Sequence, residues 1–100
     1  MIRSSLILLA LLTSGACIFD TTMSVAGFDT SCVQDQDCAP VQEGDICGCD
    51  CGNAAINVKG AAMYQAELSD KASHCTRKVF CDCVSVSAVC VQGQCTIKAP

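Results

Sequence analysis

Tryptophan is absent from the sequence and aromatic residues number only four, so the apolar fraction of 51% is mostly aliphatic residues, alanine and cysteine. At 100 residues the chain is too short for a multidomain enzyme and leaves no room for a Rossmann or P-loop domain. It is also too small to rely on core packing alone. Basic residues are few: six Lys and Arg against ten Asp and Glu give a net charge of −4. That balance argues against nucleic acid or an anionic membrane surface as an electrostatic partner. No apolar run approaches the ~20 residues of a spanning helix, and no repeat of about 20–50 residues is present. With one histidine, His74, and no aromatic flanks around the carboxylates, no acid–base pair or nucleophile triad is legible. Neither an enzyme nor a cofactor is expected.

What the chain has in excess is cysteine, eleven of them. Above roughly 8–10% Cys, a short exported chain reads as a disulfide scaffold. The N-terminus supplies the export signal: Met1-Ile2-Arg3, an apolar run Leu6-Ile7-Leu8-Leu9-Ala10-Leu11-Leu12, then the small residues Thr13-Ser14-Gly15-Ala16. This order is that of a secretory signal peptide over residues 1–16. The junction Leu12-Thr13-Ser14-Gly15-Ala16-Cys17 resembles a bacterial lipobox, with Ser14 where an aliphatic residue is usual. The resemblance implies an acylated Cys17 as the first mature residue, anchored in the membrane by its lipid. Ile18, rather than Asp, after that cysteine implies sorting to the outer membrane of a Gram-negative envelope. A secreted soluble protein is the alternative.

Parity supports the anchor. Beyond Cys17 stand Cys32, Cys38, Cys47, Cys49, Cys51, Cys75, Cys81, Cys83, Cys90 and Cys95. These ten can all pair, whereas eleven leave one reactive thiol. Cleavage after Ser24-Val25-Ala26 would also leave ten, at the cost of a long polar stretch after the apolar run. Residues 17–31 read as a lipidated N-terminus and tether, with Phe19 and Phe28 able to dock onto the domain. Residues 32–100 are the disulfide-rich domain.

The expected fold class is a small disulfide-rich α+β unit, with one central helix and a short antiparallel sheet or C-terminal hairpin. Ala61, Tyr64, Leu68 and Ala72 share one face of a helix expected over Asn57–Lys71, with Glu67–Lys71 as a favourable i,i+4 pair. Val84-Ser85-Val86-Ser87 alternates as a strand does. Gln92-Gly93 suits a two-residue hairpin turn that sets Cys90 opposite Cys95. Those two either bridge each other or bridge elsewhere. Cys47/Cys49/Cys51 and Cys81/Cys83 alternate sides if extended and so reach distant partners. Ten cysteines allow about 945 pairings, and spacing does not choose among them.

Three chemistries compete with structural bridging. Cys47-Gly48-Cys49-Asp50-Cys51, echoed by Cys81-Asp82-Cys83 and joined by His74, has the thiolate density of a zinc or copper(I) cluster. Export favours oxidised sulfurs, which are not thiolate ligands. As a redox pair the same residues are handicapped by Asp50 and Asp82, which raise thiol pKa values, with Arg77 and Lys78 the only opposing charges nearby. Asp20, Asp29, Asp35, Asp37, Glu43, Asp45 and Asp50 precede any Lys or Arg after Ile18, a density that suits calcium but without an EF-hand spacing. Asp35 and Asp37 are expected instead to form side-chain-to-backbone turns that set up the bridges.

The segment Cys32-Val33-Gln34-Asp35-Gln36-Asp37-Cys38 resembles the start of the central segment of whey acidic protein four-disulfide-core domains, a family that includes protease inhibitors. The likeness ends after those seven residues, because that family continues with adjacent cysteines and this chain has Cys47-Gly48-Cys49. More broadly, Cys-x5-Cys, the Cys-Gly-Cys cluster, Ala55-Ile56-Asn57 opening a helix, and Ala88-Val89-Cys90-Val91-Gln92-Gly93-Gln94-Cys95 resemble small cysteine-rich lipoproteins of environmental Gram-negative bacteria. The expected function is a non-enzymatic binding or interaction module of the envelope, with an unknown protein or surface ligand as partner. A cysteine-cluster metal protein is second. An inhibitor of an extracellular protein is third, with Ala39 to Ile46 as its braced loop and Val41 as either a contact residue or a buried side chain.

Overall fold

The computed structural model describes residues 20–76 and 81–98. The signal peptide, Cys17, Phe19, Arg77 and Lys78 lie outside the described residues. Six short strands and one helix follow in the order β1 (Thr22–Met23), β2 (Cys38–Val41), β3 (Gly44–Asp45), β4 (Ala54–Asn57), α1 (Ala61–Ala72), β5 (Ser87–Val91) and β6 (Gln94–Lys98). The strands pair antiparallel as β1–β3, β2–β4 and β5–β6. This is a small disulfide-rich α+β fold.

The C-terminal hairpin forms because Gln92 and Gly93 both take positive φ, 51° and 77°, which matches the turn to the right-handed twist of the flanking strands. Cys90 then stands opposite Cys95. The expected strand over Val84–Ser87 begins only at its last residue. Ser87 pairs with Lys98 at the end of β6, so residues 84–86 have no ladder to join among the described residues, and Val84 stays 69% exposed.

The helix begins later than its periodicity suggests. Asn57 ends β4, and its side chain accepts a hydrogen bond from the Lys59 amide to cap a 3-10 turn over Val58–Gly60. Ala55-Ile56-Asn57 therefore opens no helix. It supplies the strand that pairs with β2, with Ala55 and Ile56 buried. Tyr64 carries the buried face of α1 and Leu68 packs beside it, whereas Ala72 is exposed. Lys71 does not serve Glu67: its ammonium donates to the Thr22 carbonyl at 2.6 Å and pairs with Asp20 at 3.5 Å.

The core is Met23, Val41, Ile46, Ile56 and Tyr64, with Val25, Phe28, Ala54 and Leu68 against it. Tyr64 is fully buried because its hydroxyl donates to the Gln42 carbonyl at 2.7 Å. Phe28 meets its ring edge-on at 4.9 Å, a favoured aromatic arrangement. The described part of the stretch read as a tether thus belongs to the domain. Met23 is core, Val25 donates its amide to Glu43, and Asn57 donates its amide to the Asp29 carbonyl.

Candidate functional site

All ten cysteines of residues 32–95 are paired, as Cys32–Cys90, Cys38–Cys95, Cys47–Cys75, Cys49–Cys81 and Cys51–Cys83. Two sets result. The first two bridges tie the N-terminal turn and the start of β2 to the two strands of the hairpin. The other three join the 47–51 segment to the 75–83 segment in parallel order. Cα separations of 5.5–5.8 Å are the usual ones for bridged cysteines. Cys90 and Cys95 face each other but bridge elsewhere, so each strand of the hairpin is tied separately to the rest of the domain. The closely spaced cysteines reach distant partners, as their alternation requires. Bridges at this density mark a protein that folds in an oxidising, extracytoplasmic compartment.

The carboxylates organise this framework. Asp37 accepts from the Val33 and Gln34 amides at 2.8 and 3.1 Å, closing the turn between Cys32 and Cys38. These backbone donors, Val33 first, hold its pKa below the ordinary value. Asp35 reaches further than a local turn, accepting from the Cys90 amide at 2.8 Å. Asp29 accepts from the Ser31 hydroxyl and amide, and Asp20 from the Thr22 hydroxyl and amide. In each the hydroxyl contact leads in lowering the pKa. Burial pushes the Tyr64 phenol upward, aided by the charges of Glu43 and Glu67. Asp45 accepts from the Cys47 amide at 3.0 Å and orients the first cysteine of the dense cluster.

Two open grooves flank the bridges. One, of 440 Å³, runs between Leu68, Pro40, Val84, Val86 and the Cys51–Cys83 bridge. The other, of 370 Å³, lies between Val33 and Val58, with Asp29, Asp37 and Lys59 at its rim. Val33 is 92% exposed. The segment expected to be an inhibitory loop is not one: Ala39–Val41 lies in β2, Gly44–Asp45 in β3, and Val41 and Ile46 are core residues. Val41 faces inward because the β2–β4 ladder turns it toward Ile56 and Tyr64. The C-x-C-x-C run sends its sulfurs to three different partners. The Cys38–Cys95 bridge lies beside Cys32 of the Cys32–Cys90 bridge, the three sulfurs within 4.8 Å of one another. Spacing along the chain gave no sign of that, since Cys95 lies 57 residues beyond Cys38.

No helix among the described residues is long and apolar enough to cross a membrane. No family model, curated protein or solved structure matches the chain.

Proposed function

We propose that the protein is a lipid-anchored module of the bacterial envelope that acts by surface contact with a protein or surface ligand, and not by catalysis. The observation that carries the reading is cysteine arithmetic: the chain has eleven cysteines, and five bridges use every one except Cys17. Acylation of Cys17 at a lipobox-like junction removes the one thiol with no partner left in the chain. More than one acyl chain, at about 0.8 kcal/mol per buried methylene, makes such attachment durable.

Packing favours the same cleavage site. Processing after Ala26 would delete β1 and take Met23 and Val25 from the core. Processing before Cys17 leaves the domain whole. Asp20, fixed by Lys71, then stands three residues from the anchor, a span of at most about 10 Å. The domain sits against the bilayer surface with the C-terminal end of α1 on that side. Ile18 after the acylated cysteine directs the protein to the outer membrane. Contact rather than chemistry is supported by the use of Asp20, Asp29, Asp35, Asp37 and Asp45 as acceptors for backbone amides, and by the open groove where Pro40, Leu68, Val84 and Val86 flank the Cys51–Cys83 bridge.

Replacement of Cys17 by Ser tests the anchor. The native chain is expected in the membrane fraction, released only by detergent, and the variant in the soluble fraction. A variant that stays with the membrane contradicts the reading, and a native protein that is soluble without detergent favours plain secretion.

A further inference from the structure

We propose that the groove between Val33 and Val58 is a self-complementary surface through which two copies of this chain pair about a twofold axis. Its lining carries both halves of such a contact. Val33 projects as a knob, 92% exposed, and Val58 is 47% exposed, with a hollow of 370 Å³ between them. Asp29 and Asp37 stand at the rim, and so does Lys59. Among the described residues the Lys59 ammonium forms no ion pair, with these carboxylates or with any other.

A twofold contact sets the same patch against itself, so each feature must find its complement within that patch. Here each does. Lys59 of one copy meets Asp29 and Asp37 of the other, twice over, and each Val33 enters the opposite hollow beside Val58. A patch of one sign would repel its own copy. A purely basic partner would satisfy the two carboxylates but set like charge against Lys59. The second groove, around Leu68 and Val84, has no charged lining residue to fix a register.

Both walls are held before contact. The Cys32–Cys90 bridge fixes the residue before Val33, and the Val33 amide donates to Asp37 at 2.8 Å. Across the groove, the Asn57 amide donates to the Asp29 carbonyl at 2.8 Å. The Asn57 side chain donates to the Ser31 carbonyl and accepts from the Lys59 amide, each at 2.9 Å. Little backbone entropy is therefore lost on pairing. The patch is small, so the dimer is weak and reversible, in the class that buries less than about 1,200 Å².

The surface belongs to the domain alone, so the test uses the mature chain with Cys17 replaced by Ser and its five bridges intact, where lipid plays no part. Sedimentation equilibrium up to millimolar concentration is expected to show a mass that rises toward twice that of the monomer, and rises less as salt screens the charges. Val33→Asp and Lys59→Glu, both at exposed positions, should each weaken association by about tenfold or more. Val84→Asp, in the other groove, should leave it unchanged. A chain that stays monomeric throughout overturns the proposal. So does a dimer that persists undiminished in either of the first two variants, or one that is lost with Val84→Asp.

Discussion

At the scale of single residues, the fold depends on a few polar atoms placed where burial would otherwise be costly. The Tyr64 hydroxyl is the clearest. Tyr64→Phe leaves the Gln42 carbonyl without its donor and is expected to destabilise by about 1–2 kcal/mol, whereas Tyr64→Ala, which also empties the core, should cost about 3–5 kcal/mol. Denaturant midpoints measured with all bridges intact check both values. Asp20, Asp29 and Asp37 give a prediction with a definite sign. Each is held below the ordinary 3.8 by amide and hydroxyl donors that the fold keeps in place. A carboxylate depressed in the folded state stabilises fully above its unfolded pKa, and that contribution is lost as pH falls through the folded value. Stability should therefore decline below about pH 4. Carbon-13 titration of the three carboxyls should show midpoints under 3.8, and midpoints at or above it would contradict the hydrogen-bond assignments. The part played by Asp37 was legible in the sequence, because an aspartate beside a cysteine in a polar turn has amides within reach. The long reach of Asp35 to Cys90 was not, since it depends on tertiary placement.

At the scale of elements, legibility followed pattern length. The hairpin around Gln92-Gly93 and the face of α1 bearing Tyr64 and Leu68 could be read directly, because each carries its own periodicity and turn chemistry. β1, β3 and β4 could not. They are two to four residues long, too short to show alternation, and their pairing is set by Met23, Val41 and Ile56 meeting in the core. The Val84-Ser85-Val86-Ser87 alternation misled for the converse reason: a strand needs a partner as well as a pattern. Gly52 shows how tightly this region is placed. It has φ of 53°, and an added Cβ would sit 2.6 Å from Val86 Cγ2. Gly52→Ala is expected to destabilise by about 1–2 kcal/mol from the left-handed backbone alone, with further loss from the contact, measurable by thermal melting. A neutral outcome would mean that Val86 does not pack over the bridged 51–52 turn.

At the scale of the whole molecule, five bridges compensate for a core of only a few large side chains. Cys32–Cys90 and Cys38–Cys95 span 58 and 57 residues, against 28–32 for the other three. Chain entropy gives the longer loops about 0.5 kcal/mol more each. Joint replacement of Cys32 and Cys90 by Ser is expected to cost about 2–5 kcal/mol and to loosen β5 first, seen as faster amide exchange over Ser87–Val91. That all ten would pair was legible from export and parity. Which cysteine meets which was not, because pairing depends on how β2, the hairpin and the 47–51 segment come together. The central claim joins that closed network to a lipid on the one cysteine it leaves out. Intact mass of the protein from its native envelope, before and after alkylation under denaturing conditions, tests it most directly. The account predicts a chain that begins at Cys17, carries the added mass of acyl chains, and takes up no alkylating agent. An unacylated chain, or one with alkylatable cysteines, would contradict it.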